Sequence, residues 1–378
     1  MNIDFNASAG TSLGIEWELQ LVDAKTGELA SQASPILEEV GAAYGGEHPK
    51  AKHELFESCV EVITGVCTRV DEALADLHRT VEEVRSAADA RGLELMCSGT
   101  HPTTDWTAQV VSPLPRYASL VESMQWTARR MQIFGVHVHV GVRSAQKVMP
   151  IVNALTGYVP HLLALSASSP YWVGVDTGLA STRSKIFECL PTAGLPYQLR
   201  DWGAFETFME TLIVSGTIAS VREVWWDLRP HPDFGTVEFR ICDGIPTLAE
   251  VGMVAAISQC LVERFDAQLD RGYTLPVPHE WVVRENKWRA ARYGLAAEVI
   301  TDEQGHTRSL RQEIEELCAE LRPVADRLGC AEQLGVVDLV LAKGASYDRQ
   351  RAVAAAHDGD LRPVVAALVE EFAAGVPA

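Results

Sequence analysis

An α+β fold, a curved antiparallel sheet flanked by helices, is what the sequence predicts, and three patterns predict it. Segments that alternate apolar and polar residues recur from the N-terminus to beyond residue 240, the two-residue period of half-buried strands. Between them lie stretches whose apolar residues return every three or four positions, the period of amphipathic helices. The late pair EVWWDLR and TVEFRIC, joined by PHPDFG, reads as a hairpin and so as antiparallel pairing.

The first strand, Leu13 to Val22, sets Leu13, Ile15, Trp17, Leu19 and Leu21 on one face and Gly14, Glu16, Glu18 and Gln20 on the other. Two carboxylates that close repel unless a cation sits between them, and a divalent metal serves; an ordinary amphipathic strand explains the stretch equally well. DAKTG is then turn chemistry, followed by a short helix and a Gly-rich loop to Gly46. His53 to Thr64 ends as a strand and brings Glu54, Glu57 and Glu61. Val70, Leu74, Leu77, Val81 and Val84 mark a helix over Arg69–Ala90 that Gly92 stops. Leu93–Ser98 is a strand ending in the polar loop Gly99–Pro102, which carries Thr100 and His101.

A helix over about Tyr117–Arg130 precedes the strand Phe134–Val142, where His137 and His139 share a face with Gly135 and Gly141, the glycines leaving room for a ligand. Lys147–Leu165 reads as an apolar helix. Ser166–Pro196 is a long stretch without periodicity, more often functional than passive, and holds Arg183 and Lys185. In the hairpin, Glu238 and Arg240 share the face opposite Val237, Phe239 and Ile241. Thr247 with Glu250 forms a capping box opening a helix to about Leu269. Glu285–Val299, with Asn286, Trp288 and Arg292 on or near one face, reads as helix, as does the remainder. The expected organisation is one catalytic domain over 1–378, its sheet-bearing core at about 10–300 and a helical part at about 301–378.

Composition narrows the function. With Lys+Arg 32 against Asp+Glu 51, a net charge of -19 disfavours nucleic acid and anionic membranes as partners. No uninterrupted apolar run is long enough to span a bilayer, and the acidic N-terminus lacks signal-peptide character. Eight cysteines without a CxxC pair read as buried thiols of a cytoplasmic protein. Self-association is compatible with this composition.

Four strands thus offer acidic, imidazole or guanidinium groups opposite an apolar face, which suggests one sheet whose concave polar face is an active site. Carboxylates with one imidazole suit Mg2+ or Mn2+ better than Zn2+, and Mg2+ points to phosphate. There is no GxxxxGK[ST] loop and no GxGxxG opening a helix, so a nucleotide has to be held through metal ions and sheet side chains.

ExE on the first strand, HxH on a middle strand and ExR on a late one resemble the catalytic sheet of the glutamine synthetase superfamily. More closely, GIEWELQLVDAKTG, HELFESCVEVITGVC, SGTHP, GVHVHVGV, TRSKIFECLPTAGLP and WWDLRPHPDFGTVEFRICD resemble the glutamate–cysteine ligase type 2 family of carboxylate–amine ligases, over roughly residues 10–300. GIEWEL departs from the commoner GVEEEF, placing Trp17 on the apolar face. The resemblance implies a glutamine synthetase catalytic-domain-like fold and ATP-dependent formation of a gamma-glutamyl amide. ATP and Mg2+ (or Mn2+) are the implied cofactors, glutamate and cysteine or another amine the substrates. Glu16, Glu18, Glu54, Glu61, Glu238 and one of His137 or His139 are then the metal ligands. Strand parity alone favours Glu57 as the partner of Glu61, the resemblance Glu54. Arg240 is the candidate for the substrate carboxylate or transferred phosphoryl group, with Arg183 as a second cation on a lid. Thr100 and His101 are weaker candidates for substrate contacts, and Asn286, Trp288 and Arg292 for closing the nucleotide pocket. A metal-dependent amidohydrolase and a non-catalytic glutamate- or nucleotide-binding protein are the rival readings.

Overall fold

The computed structural model describes residues 2–378. Its centre is strand β1 (Leu13–Asp23), which is followed by α1 (Ala33–Ala42), β2 (Ala51–His53), β3 (Cys59–Ile63), α2 (Val70–Asp89) and β4 (Leu93–Met96). Helices α3 (Pro115–Met124) and α4 (Trp126–Arg129) lead to β5 (Val136–Gly141), then α5 (Ala145–Leu155) and α6 (Val159–Ser166). The small hairpin β6 (Tyr171–Trp172) and β7 (Val175–Asp176) precedes α7 (Thr182–Phe187) and α8 (Trp202–Val214). The hairpin β8 (Leu228–His231) and β9 (Thr236–Phe239) leads into α9 (Leu248–Asp270) and α10 (Glu280–Tyr293). A last hairpin, β10 (Glu298–Ile300) and β11 (Thr307–Ser309), opens the terminal helices α11 (Leu310–Leu328), α12 (Ala331–Lys343), α13 (Ser346–Ala356) and α14 (Arg362–Ala374).

The main sheet is antiparallel throughout its described pairings, in the order β2-β3-β1-β5-β9-β8, with β4 pairing the far end of β1. This is the α+β architecture the alternating segments predicted. The apolar face of β1 is almost entirely sequestered, with Leu13, Ile15, Trp17, Leu19 and Leu21 all buried. Trp17 donates its indole N–H to Ile245 O at 3.1 Å and meets the Phe372 ring of α14 at 5.1 Å. Burial of that row fixes which way the opposite row points, because a one-residue slip would send every core side chain into solvent.

Several elements depart from the local pattern. The expected helix 117–130 is broken at Gln125, whose φ of 48° ends α3. The apolar stretch 145–166 is split by a short 3-10 turn before Pro160, which sits in the first turn of α6, where a missing N–H costs nothing. By length and composition this 22-residue stretch is apolar enough to cross a membrane, although polar residues interrupt it; 83% of its most apolar window is buried inside the fold, as a core helix is. β8 starts only at Leu228 and takes in Pro230 and His231, which the sequence assigns to the turn. It is an edge strand, so the absent Pro N–H breaks no ladder bond. Residues 285–299 divide into the end of α10 and β10 rather than one helix.

Candidate active site

Cross-strand register assembles the site. Glu16 stands opposite His137, Gly14 opposite His139, Glu18 opposite Glu61, His139 opposite Glu238, and Glu238 opposite Arg229. Directly paired residues share a face, so four strands deliver one row of carboxylates and imidazoles.

Two trios of donor atoms each lie within 4.8 Å of one another: Glu16, His137 and Glu238, and Glu18, Glu61 and His137. His137 belongs to both. Its Nδ1 lies 3.0 Å from Glu16 Oε2, and its buried Nε2, 3.9 Å from Glu18 Oε1, has no hydrogen-bond partner. Burial, and then the nearby Arg240 charge, hold the imidazole down at about 4, so it is neutral near pH 7. His139 differs. Burial pulls it down, but Glu238 and Glu16 prevail and raise it, and both its nitrogens are engaged, with Thr236 Oγ1 at 3.1 Å and Glu16 Oε1 at 3.2 Å. Neutral imidazole with an unused lone pair is the form that binds a metal; of the two histidines, His137 has it.

The carboxylates fall into two electrostatic classes. Glu238, with no exposed surface, is gripped by Arg229 (Nε to Oε2 2.7 Å) and by Arg240, and these guanidiniums overcome burial to hold it far below the ordinary range. Glu16 is likewise held low, its burial outweighed by the two imidazoles. At the other end, burial and the Glu54 charge push Glu18 up to about 8, and burial with the charges of Glu16, Glu54 and Glu18 raises Glu61 well above its usual value. Glu54 is raised first of all by burial. This end carries more negative charge than nearby cations offset, and a divalent ion is what such a cluster accommodates. The donor set and the orphaned His137 nitrogen therefore fit Mg2+ or Mn2+.

Glu54 rather than Glu57 joins this cluster. Glu57 falls in the turn before β3, where strand parity does not apply, and its carboxylate caps α1 through Ser34 N (3.0 Å) and Ser34 Oγ (2.8 Å). Arg183 is on α7 and buried, its guanidinium bonded to Arg240 O and Ile241 O at 3.3–3.4 Å and filling the space beside Gly135. It is a fixed cation rather than part of a mobile lid, and the room predicted beside that glycine is taken by its side chain. Among the described residues, the Nε atoms of Arg183 and Arg240 are both buried without partners. Behind Arg183, the buried Asp243 accepts from Ser168 N, Ser169 Oγ and Ser181 Oγ, tying residues 166–184 to the sheet end.

Other sequence candidates are engaged elsewhere. Thr100 donates to Tyr171 O at 2.7 Å; His101 Nε2 bonds Gly27 O, and its Nδ1 accepts from Thr103 and Thr104. Both positions therefore hold loops together rather than line the acidic face. Asn286 clamps β10 through both polar atoms of Ile300, Arg292 bonds Gly178 O, and Trp288 lies partly exposed under Lys185. These three point to different neighbours because 286 falls on another helical face than 288 and 292, which corrects their grouping as one pocket wall. Arg229, which is not among the candidates above, is half of the Glu238 clamp; counting hairpin register back from Glu238 finds it. Arg116, whose charge offsets Glu54 and Glu61, leaves no comparable trace in the sequence.

Sheet, helices and site together define an α+β protein with one acidic sheet face. The solved structure of a glutamate–cysteine ligase from Francisella tularensis in complex with AMP matches it with a TM-score of 0.70 at 14% identity, over 99% of this chain and 94% of that one. The family model for glutamate–cysteine ligase family 2 matches residues 12–367, and the chain belongs to that family. A Frankia alni protein provisionally named glutamate–cysteine ligase 2-1 is 62% identical over all of this chain and 99% of its own length. A Thermobifida fusca protein provisionally named glutamate–cysteine ligase 2 is 58% identical over all of this chain and 95% of its own.

Proposed function

We propose that the protein is an ATP-dependent carboxylate–amine ligase that activates the side-chain carboxylate of glutamate and joins it to an amine, cysteine or another, through a gamma-glutamyl amide. The observation that carries this is the pair of carboxylate trios sharing His137, with the guanidinium charges of Arg240 and Arg183 beside them. Glu18, Glu61 and Glu54 with the free His137 nitrogen would hold one Mg2+, and the Glu16 and Glu238 carboxylates beside them another. Bound there, the ions supply charge neutralisation for a carboxylate approaching a polyphosphate.

The chain's own groups do the rest. The glutamate carboxylate attacks the terminal phosphorus of ATP and displaces ADP, giving an acyl phosphate; the amine then attacks its carbonyl carbon and phosphate leaves. Arg240, locked by Glu238, offers its guanidinium to the transferring group or the substrate carboxylate. Arg183, tied to the strand carrying Arg240, adds a second positive charge that needs no reorganisation. Residues 1–378 form one catalytic unit in this reading, supported by a core that runs from Leu13 to Phe372. Eight free cysteines support a reducing, cytoplasmic setting.

The test is phosphate release with ATP, Mg2+, glutamate and a panel of amines. Release that requires all four supports the ligase, whereas amide hydrolysis without ATP, or ATP binding without turnover, rejects it. Within the same assay, His137→Ala should cost at least about 100-fold in kcat/KM, and His139→Ala about tenfold, as for a ligand and a neighbour that orients it. Equal losses would reject the assignment of His137 as the imidazole ligand.

A further inference from the structure

Away from the acidic face of the sheet, a groove of about 360 Å3 runs between the α5–α6 junction, the Pro276–Pro278 segment and α11. None of its lining residues belongs to the carboxylate–imidazole cluster. Its floor holds polar groups that the protein leaves unanswered. His161 is 9% exposed, and among the described residues neither of its ring nitrogens has a hydrogen-bond partner, Nδ1 being wholly buried. The Tyr158 ring lies 5.6 Å from it, and no hydrogen bond holds the Tyr158 hydroxyl.

Opposite them, α11 turns Glu313, Glu316 and Glu320 toward the groove at helical spacing, with Leu317 between. Arg308 serves both Glu313 and Glu316, and Arg264 serves Glu320 at 2.7 Å. Three carboxylates thus meet two guanidiniums and keep one negative charge over. The 2.7 Å contact between Arg308 Nη1 and Glu313 Oε1 is out of line for a hydrogen bond, so Oε1 is also buried without a donor. These groups stand beside an apolar wall of proline, valine and leucine.

We propose that this groove is a binding site for a small primary alkylamine. The ammonium donates to the Glu313 carboxylate and to the ring nitrogen that His161 turns to the groove, and the Tyr158 ring beside it offers a cation–π contact. Its alkyl stem lies along Pro276–Pro278 and Leu317. The site is separate from any amine acceptor position on the sheet.

The experiment is an NMR titration of the full chain with n-butylamine, reading the His161 imidazole signals, with n-butanol at the same ionic strength as the neutral control. Saturable shifts with butylamine and none with butanol are expected. His161→Phe and Glu313→Gln should each weaken binding about tenfold, the loss of one charge-assisted hydrogen bond, and Tyr158→Leu should weaken it where either of those fails to fold. Glu16→Gln, which disables the sheet site and keeps the fold, should leave the titration unchanged, so the groove stands or falls independently of the ligase reading. Equal shifts with butanol, no shift at His161, or shifts abolished by Glu16→Gln would overturn it and leave the groove to water.

Discussion

Glu16→Gln is expected to lower ligation by about three orders of magnitude while moving the unfolding free energy by no more than about 1 kcal/mol. Glu16 bridges both imidazoles, at 3.0 Å from His137 Nδ1 and 3.2 Å from His139 Nε2. A quarter of its side chain remains accessible on the open face. An amide oxygen can keep one of those contacts, so the fold survives, but the charge that would hold a divalent ion is gone. Phosphate-release kinetics against Mg2+ concentration, together with a urea unfolding curve, check both halves. A variant with wild-type turnover at low Mg2+ would remove Glu16 from the metal set.

Glu238→Gln is expected to be costly twice over. Glu238 has no accessible surface and lies between Arg229 and Arg240. Neutralising it strands two buried guanidiniums, a change that costs about 3–5 kcal/mol, and it also removes the group that locks Arg240. Activity should fall at least as far as for Glu16→Gln. The sign of the pH effect follows from the depressed folded-state value of Glu238. Its contribution is fully present above the ordinary carboxylate pKa of about 4.3 and is lost as pH falls through the depressed value. The difference in stability between wild type and variant should therefore narrow on acidification below about pH 4. A urea midpoint for Glu238→Gln equal to that of wild type at pH 7 would contradict the clamp.

The contrast between these two glutamates shows what was legible in the sequence. Alternation put both on polar faces, and that held because the period is local and the apolar rows must be buried. It could not say that one polar position is open and the other sealed by arginines from the neighbouring and same strands. That depends on the β8–β9 register, which begins later than the run EVWWDLR suggested. Likewise, the stretch 166–196 was legible as a long connection without strong periodicity, yet its fixation through Asp243 and three serines was not, since those bonds join residues some 60–75 positions apart.

By itself the sequence determined the antiparallel sheet, the shared face of Glu16, Glu18, Glu61, His137, His139 and Glu238, and the family resemblance. These rest on side-chain periodicity and on motifs within single strands. Tertiary structure alone decided that Glu54 and not Glu57 approaches the cluster, that His137 keeps a free nitrogen while His139 does not, and that Arg183 is anchored. It also dispersed Asn286, Trp288 and Arg292. The physical reason is common to all of these: hydrogen-bond partners and local charge balance are set by which distant elements meet, and a strand's own period carries no record of its neighbours.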